Sequence, residues 1–345
     1  MVGAFMVGKV SPKLMEKIVY KNLGAVDPDV LVGPAIGEDA AIIDLKDGRV
    51  LIVHNDAITG ASKFLGWLAV HIVSNDIAVR GVKPRWFLMS LFLPENTSEK
   101  LLEEIMVQVN RAANELGIMV IGGHTETTPG LDRPIVGTTA IGIAEKNKIV
   151  TTSGAHAGDY VIMTKTAAIE GTAILCTDFA DILRSKGVSE DTLKSGSDFL
   201  MKLSVMKEAL ALADKGLVTA MHDPTEGGIL GGVTELAYAS RKTIEFWADK
   251  VPIAEETKIA AEALGVDALK LISSGSLIAS VPPTNLNEAI NVIRNFGVKA
   301  TVIGRVKEYS GCLVEVIKGS SAATILNDVH VTDELFYLWK KVEST

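Results

Sequence analysis

The stretch SKFLGWLAVHIVSNDIAVRGVKP, residues 62–84, is apolar almost throughout, yet it carries Asn75-Asp76 inside it. Phe64, Leu65, Leu68, Ile72 and Val79 recur at helical spacing. That spacing predicts a largely buried helix over Ser62–Arg80, ended by Gly81 and Pro84. A carboxylate inside such a helix is costly unless it is paired or bound to a cation. Asp76 therefore has two readings: partner of a buried arginine such as Arg80, or metal ligand.

Outward from this helix, helical and strand periods alternate. Ala40–Leu45 and Val50–Asn55 are short β runs split by the hairpin-type turn Asp47-Gly48. Trp86–Leu93 reads as a strand closed by Pro94. Glu99–Leu116 carries an apolar stripe at helical spacing, and Gly117 stops it. Ile118–Ile121 reads as a strand running into Gly122-Gly123, and Pro134–Ala144 as another. Thr151–Gly158, polar and rich in Gly, Ser and Thr, marks a domain boundary. Beyond it Asp159–Lys165 is a strand, and Ala168–Arg184 and Asp191–Lys215 are helical. Leu217–Met221 is a strand feeding the glycine-rich run Glu226–Gly232, which opens a helix over Val233–Ser240. The expectation is two mixed α/β domains, near 1–150 and 158–330.

Composition narrows the function classes. The 345 residues are 48% apolar and 22% charged, an ordinary globular balance, with a net charge of −8 that gives no electrostatic footprint for nucleic acid or anionic lipid. No apolar run approaches the ~20 residues of a membrane span. Met1–Val10 has the pattern of neither a signal nor a transit peptide. Two cysteines, Cys176 and Cys312, make no disulfide framework or Cys-rich zinc site and read as reduced thiols of a cytoplasmic protein. Cys176, on an apolar helix face, reads as a core filler. Walker A, G-x-G-x-x-G after a strand, and G-x-S-x-G are all absent.

The chemistry-bearing residues gather at element ends. Gly37-Glu38-Asp39-Ala40-Ala41 places two carboxylates on a glycine turn entering a strand, and Asp56 ends the next strand after His54-Asn55. Singly, Asp39 reads as a turn residue and Asp56 as a helix cap. Together with Asp76 they suit a hard cation such as magnesium, which takes oxygen ligands and usually arrives with phosphate. Gly122-Gly123-His124-Thr125-Glu126 pairs glycines, which let backbone N–H groups approach an anion, with a hydroxyl donor; a plain structural turn is the alternative. His222-Asp223-Pro224-Thr225-Glu226-Gly227-Gly228 delivers Asp223 to a turn before a helix N-terminus, with free N–H groups or with Asp223 or Thr225 as a cap. Lys9, Lys165 and Glu170-Gly171-Thr172-Ala173 gain meaning only in this company.

In this order the motifs resemble the superfamily of aminoimidazole ribonucleotide (AIR) synthase, also called PurM-like, and within it the HypE type of hydrogenase-maturation factor. Gly37–Ala41 is similar to the family's Gly-Asp-Asp-Ala-Ala, and Asn75–Ala78 with Gly81 and Pro84 to its Asp-Ile-Ala, Gly, Pro helix end. Gly122–Thr125 is similar to Gly-Gly-Asp-Thr, Asp223–Gly228 to Asp-Ala-Thr-Arg-Gly-Gly, and Ser274-Gly275-Ser276-Leu277 to Ser-Gly-Thr-Leu. The resemblance implies a two-domain α+β fold, a homodimer through the N-terminal domain, and ATP with Mg2+ in the cleft beside that interface. It implies transfer of the ATP γ-phosphate to a substrate oxygen, with the substrate itself unidentified. Asp39, Asp56, Asp76 and Glu126 would hold metal. Lys9, Gly37, Asp56, Asp76, Gly122, Gly123 and Thr125 would hold nucleotide, and Asp223, Thr225 and Glu226 would serve catalysis. His54-Asn55 replaces the family's threonines, and His124 stands where the family has an acid, so Glu126 is the expected substitute ligand. The chain reads Trp339–Thr345 at its end, with no thiol beyond Cys312, where HypE-type factors carry a cysteine. The other reading is a nucleotide-binding assembly or regulatory protein without turnover.

Overall fold

The computed structural model describes residues 8–319 and 323–343. Expectations that rest on Met1–Val7 and on Ser344-Thr345 lie outside these residues. After α1 (Pro12–Leu14) comes a six-stranded sheet of β1 (Val30–Val32), β2 (Ala41–Asp44), β3 (Arg49–Ile58), β4 (Pro84–Leu93), β5 (Met119–Thr127) and β6 (Ile135–Glu145). Its order is β1-β2-β3-β6-β4-β5, and only the β4–β5 pair is parallel. Between these strands run α2 (Leu65–Ala78) and α3 (Glu99–Leu116). The second sheet holds β7 (Tyr160–Thr164), β8 (Ala220–His222), β9 (Thr243–Trp247), β10 (Ile278–Val281), β11 (Ala300–Lys307), β12 (Val314–Ile317) and β13 (Thr324–Leu326). Its order is β13-β12-β9-β11-β7-β10-β8, with β9 and β12 parallel. The helices of this half are α4 (Ile169–Thr177), α5 (Ala180–Ser185), α6 (Glu190–Ser197), α7 (Met206–Asp214), α8 (Gly228–Ser240), α9 (Glu255–Leu264) and α10 (Leu286–Arg294), and α11 (Glu334–Glu343) closes the described chain. The fold is α+β, in two units.

Every residue of α2 is buried. It lies across β3 and β6, packs on α3, and meets the second unit on its remaining side. Its polar residues are answered one by one. Ser74 Oγ donates to the Val70 carbonyl, and Asn75 clasps the segment after α6 through the Leu203 carbonyl and the Val205 amide. The apolar core runs on without a break: Leu65, Leu68 and Phe87 belong to one cluster with Ile169, Phe179, Leu200 and Leu271. Burial of each such side chain contributes about 1.5–3 kcal/mol. The helix α3 matches its expected bounds, with Ser98 capping it through the Leu101 amide and Gly117 in the left-handed C-cap conformation.

Some local expectations are corrected. The helical stretches after Thr151–Gly158 are broken, the first into α4 and α5, the second into α6, a 3-10 turn over Asp198–Lys202, and α7. The glycine-rich run does not precede its helix: α8 starts at Gly228 and includes Gly231 and Gly232, whose missing side chains let it press against Glu226 and Pro224. Gly122-Gly123 is not a turn. Both lie inside β5, where the pairing with β4 slips by one residue, and a Cβ on Gly123 would collide with the Met89 carbonyl. Among the described residues no helix is long and apolar enough to cross a membrane.

Candidate functional site

Period-two alternation on β3 turns Val50, Ile52 and Ile58 into the core beneath α2, and His54 and Asp56 share their face. Near the strand's end the apolar side chains thus give way to an imidazole and a carboxylate. From α2, Asp76 reaches the same place: its Oδ2 stands 3.5 Å from His54 Nε2. One ligand atom from each of His54, Asp56 and Asp76 lies within 4.8 Å of the other two. Asp76 is buried and its Oδ2 has no hydrogen-bond partner.

The second unit supplies the opposite wall. The chain leaves β8 through His222 and Asp223 and turns at Pro224 into α8. Asp223 is 1% exposed, and neither carboxylate oxygen has a hydrogen-bond partner. The N-terminal segment closes over the gap. The Lys9 amide donates to Glu226 Oε2 at 2.8 Å and its ammonium to Thr225 Oγ1 at 2.9 Å. Between the walls lies a cleft of about 400 Å³, lined by Lys9, Gly37, Asp56, Asp76, Asp223 and Thr225 among others. Gly37 has φ +84°, and a Cβ there would stand 2.8 Å from the Glu235 carbonyl, so glycine permits the first unit's turn to press on α8.

Charge in this cleft is unbalanced toward acid. Burial, with the charges of Asp223, Asp39 and Asp56 added, holds the Asp76 carboxyl well above its ordinary range. Burial and then Asp39 do the same to Asp223, only partly offset by His222 and the nearby Asn75 side chain. Burial pushes the His54 imidazole down despite Asp56 and Asp39. Lys9 is exposed at the mouth of the cleft, and the desolvation it meets there is outweighed by Glu235, Glu226 and Asp56, which keep the ammonium charged. Excess buried negative charge with unpartnered oxygens suits a bound cation, and a lysine beside it suits the phosphate oxygens such a cation carries.

Asp39 lines the same cleft as Asp56 and Asp76, as expected, and is also engaged in ion pairs. Its Oδ2 takes Arg80 Nη2 at 2.5 Å and its Oδ1 takes His222 Nδ1 at 2.6 Å. His222 bridges on to Glu235 at 2.8 Å, and Arg80 also binds Glu38 at 2.6 Å. Against the cost of burial, His222 and Arg80 hold the Asp39 carboxyl below its ordinary value. Asp39 is thus held by ion pairs at the cleft wall, while His54 stands beside Asp56 and Asp76. The arginine reading offered for Asp76 belongs to Asp39 and Glu38 instead. Thr152 joins the network through Arg80 Nη2 and Asp39, so the polar stretch after β6 is a clamp between the units, not a loose tether.

Gly122, Gly123, Thr125 and Glu126 are not brought to this chain's cleft. All four are exposed on β5, where Glu126 pairs with His124 at 3.0 Å and accepts from Thr128. The N-terminus of α8 is not a free anion site either: Gly227 N–H donates to Asp333, Gly228 N–H to the Thr225 carbonyl and Leu230 N–H to the Leu269 carbonyl. Nor does a side chain cap the helix, which removes the cap reading of Asp223 and Thr225. Lys165 is structural, held by Glu208 and the Ser204 and Gly275 carbonyls. Glu170 lies beside the cleft with Lys9, Asp56 and Ser274, buried with one oxygen unpartnered, and burial raises it to about 8. Cys176 and Cys312 are buried. The sequence reading missed His54 and His222; the i, i+2 spacing of His54 and Asp56 on a strand was the available signal for the first.

Comparison with known proteins accords with this architecture. Residues 37–144 match the N-terminal domain of AIR synthase related proteins, and residues 156–316 match the C-terminal domain. A hydrogenase expression/formation protein of Methanocaldococcus jannaschii is 29% identical over 322 residues, 90% of this chain and 92% of that protein. The carbamoyl dehydratase HypE of Rhizobium leguminosarum is 25% identical over 331 residues, 93% of this chain and 89% of the relative. The crystal structure of the hydrogenase maturation protein HypE in complex with ATP superposes with a TM-score of 0.69 at 21% identity, over 96% of this chain and 98% of that one. With both domains matched in order across the cleft, the chain belongs to the AIR synthase related family and is HypE-like.

Proposed function

We propose that the protein is a Mg2+- and ATP-dependent phosphoryl-transfer enzyme that moves the γ-phosphate of ATP to an oxygen of a small substrate. One observation carries this reading: His54, Asp56 and Asp76 of one unit face Asp223 and Thr225 of the other across a cleft closed by Lys9. Similarity to a HypE solved in complex with ATP supports the nucleotide, and similarity to a carbamoyl dehydratase supports a substrate whose oxygen must be made a leaving group. Asp56 and Asp76 would hold the cation, whose contribution is to neutralise charge on the phosphate oxygens. Lys9 adds a second positive charge to the same end of the nucleotide. Asp223, buried and unpartnered, orients the acceptor or takes its proton, with Thr225 and Glu226 holding Lys9 in place. The test is phosphate release from ATP with Mg2+, alone and with candidate acceptors. ATP binding without release under any acceptor would favour a nucleotide-binding assembly protein, and no ATP binding would end both readings.

We also propose a homodimer through the first sheet. The strands that suggested this, Trp86–Leu93 and Pro134–Ala144, lie inside the sheet as β4 and β6. The surface that needs covering is β5, an edge strand exposing Met119, Val120 and Ile121 at 66%, 37% and 47%. Light scattering at micromolar concentration should give twice the chain mass, and Ile121→Lys should shift it toward the monomer. A wild-type monomer would refute the assembly.

A further inference from the structure

One departure from the family pattern, His54, meets two carboxylates that belong to it. His54 takes a position where the resemblance expects threonine, and its Nε2 faces Asp76 Oδ2 at 3.5 Å. Its strand neighbour two residues on, Asp56, lies on the same face, and the three ligand atoms fall within 4.8 Å of one another. Asp76 is 5% exposed, and this same Oδ2 has no hydrogen-bond partner. Two ligands about 2.1 Å from one ion stand roughly 3.0 Å apart when cis-octahedral and about 3.4 Å apart when tetrahedral. The His54–Asp76 separation is already close to the latter.

We propose that His54, Asp56 and Asp76 form a mixed nitrogen–oxygen site that takes a later first-row divalent ion, Co2+ or Zn2+, in preference to Mg2+. This deepens the phosphoryl-transfer reading and rests on it only for the idea that the ion serves ATP. The selectivity argument is chemical. Mg2+ takes oxygen ligands and gives up water reluctantly, so an imidazole adds little to its binding. The later first-row ions bind imidazole nitrogen well, with affinity rising along the series toward copper. Asp39, which would have made an all-carboxylate site, is held by Arg80 and His222 and leaves the third position to His54.

The experiment uses the full chain without nucleotide. Co2+ is titrated in while its visible absorption is followed, with Mg2+ as competitor. The expected result is Co2+ binding that about 100-fold more Mg2+ does not displace, weakened at least about tenfold in His54→Asn. A second measurement needs no variant: electron spin-echo spectroscopy of bound Mn2+ should show coupling to an imidazole nitrogen. Displacement of Co2+ by equimolar Mg2+, absence of nitrogen coupling, or unchanged Co2+ affinity in a folded His54→Asn protein would overturn the proposal. ATP affinity measured in Mg2+ separates the two readings. Strong Co2+ binding without ATP binding keeps the metal site and removes the phosphoryl-transfer reading, and the reverse pattern does the opposite.

Discussion

Asp223→Asn should yield a protein that melts no lower than wild type at pH 7 and has lost at least about 100-fold of its ATP turnover. The two effects share one cause. Asp223 is buried with both oxygens unpartnered, and burial and Asp39 hold its carboxyl above the ordinary value. With the folded value raised, the stability associated with the protonated form is present below the unfolded value of about 4 and is lost as pH rises through the folded one. An amide imitates the protonated form. The variant should therefore gain melting temperature over wild type above about pH 4 and show no gain below it. Such a trade of stability against function marks a residue kept for its chemistry. Nucleotide affinity should stay near that of wild type, because Asp56, Asp76 and Lys9 remain. A residue with only a structural role would behave oppositely, losing stability on substitution while keeping activity. Paired measurements of melting and phosphate release on this variant separate the two, and an active, less stable protein would remove Asp223 from catalysis.

Arg80→Met should be the most damaging single change away from the apolar core. Arg80 is fully buried, and its guanidinium serves Glu38, Asp39, Thr152 Oγ1 and the Met221 carbonyl at 2.5–2.9 Å. These partners come from the first sheet's entry turn, the inter-unit stretch and β8, so one side chain ties the two walls of the cleft. Its removal leaves Asp39 with His222 as its remaining cation and Glu38 with backbone donors alone, at a cost of about 3–5 kcal/mol, or a melting temperature lower by on the order of 10 °C. Adding Asp39→Asn should recover part of that loss, since the cost lies mainly in the stranded charge. A melting temperature equal to wild type in Arg80→Met would refute the account. The same network sets the pH response. His222, against the cost of burial, is raised to about 10 by Asp39 and Glu235. Its contribution is complete below the unfolded histidine value of about 6.5 and is lost as pH rises through 10. Asp39 is lowered, so its contribution is present above about 4 and lost on acidification through the folded value. Wild type should be most stable between these limits, and His222→Gln should lose the alkaline decline.

The local order of this protein was legible in its sequence wherever one period ruled a segment. Glu99–Leu116 shows its apolar stripe, its cap and its terminal glycine without help from the rest of the chain, and the structure has the same bounds. The order of motifs from Gly37 to Leu277 was enough to identify the family, because each needs its residue types next to one another in the chain. Asp76 was marked by its setting alone, since a carboxylate in so apolar a helix demands an explanation. What the carboxylates do could not be read in this way. Asp39 and Asp76 belong to the same family pattern, yet only the fold sets Arg80 and His222 against one and His54 against the other. Arg80 lies four residues from Asp76 and 41 from Asp39, and helical spacing favours the nearer partner. Tertiary packing turns it toward β8 instead. The glycines of β5 mislead for a related reason: paired glycines suit a phosphate turn and a slipped strand equally, and the neighbouring β4 decides between them. Residue type and short-range spacing thus determined the elements and the family. Pairing of charges between residues distant in the chain, from His54 with Asp76 to Asp39 with His222, is a property of folded distance, and the tertiary structure alone decided it.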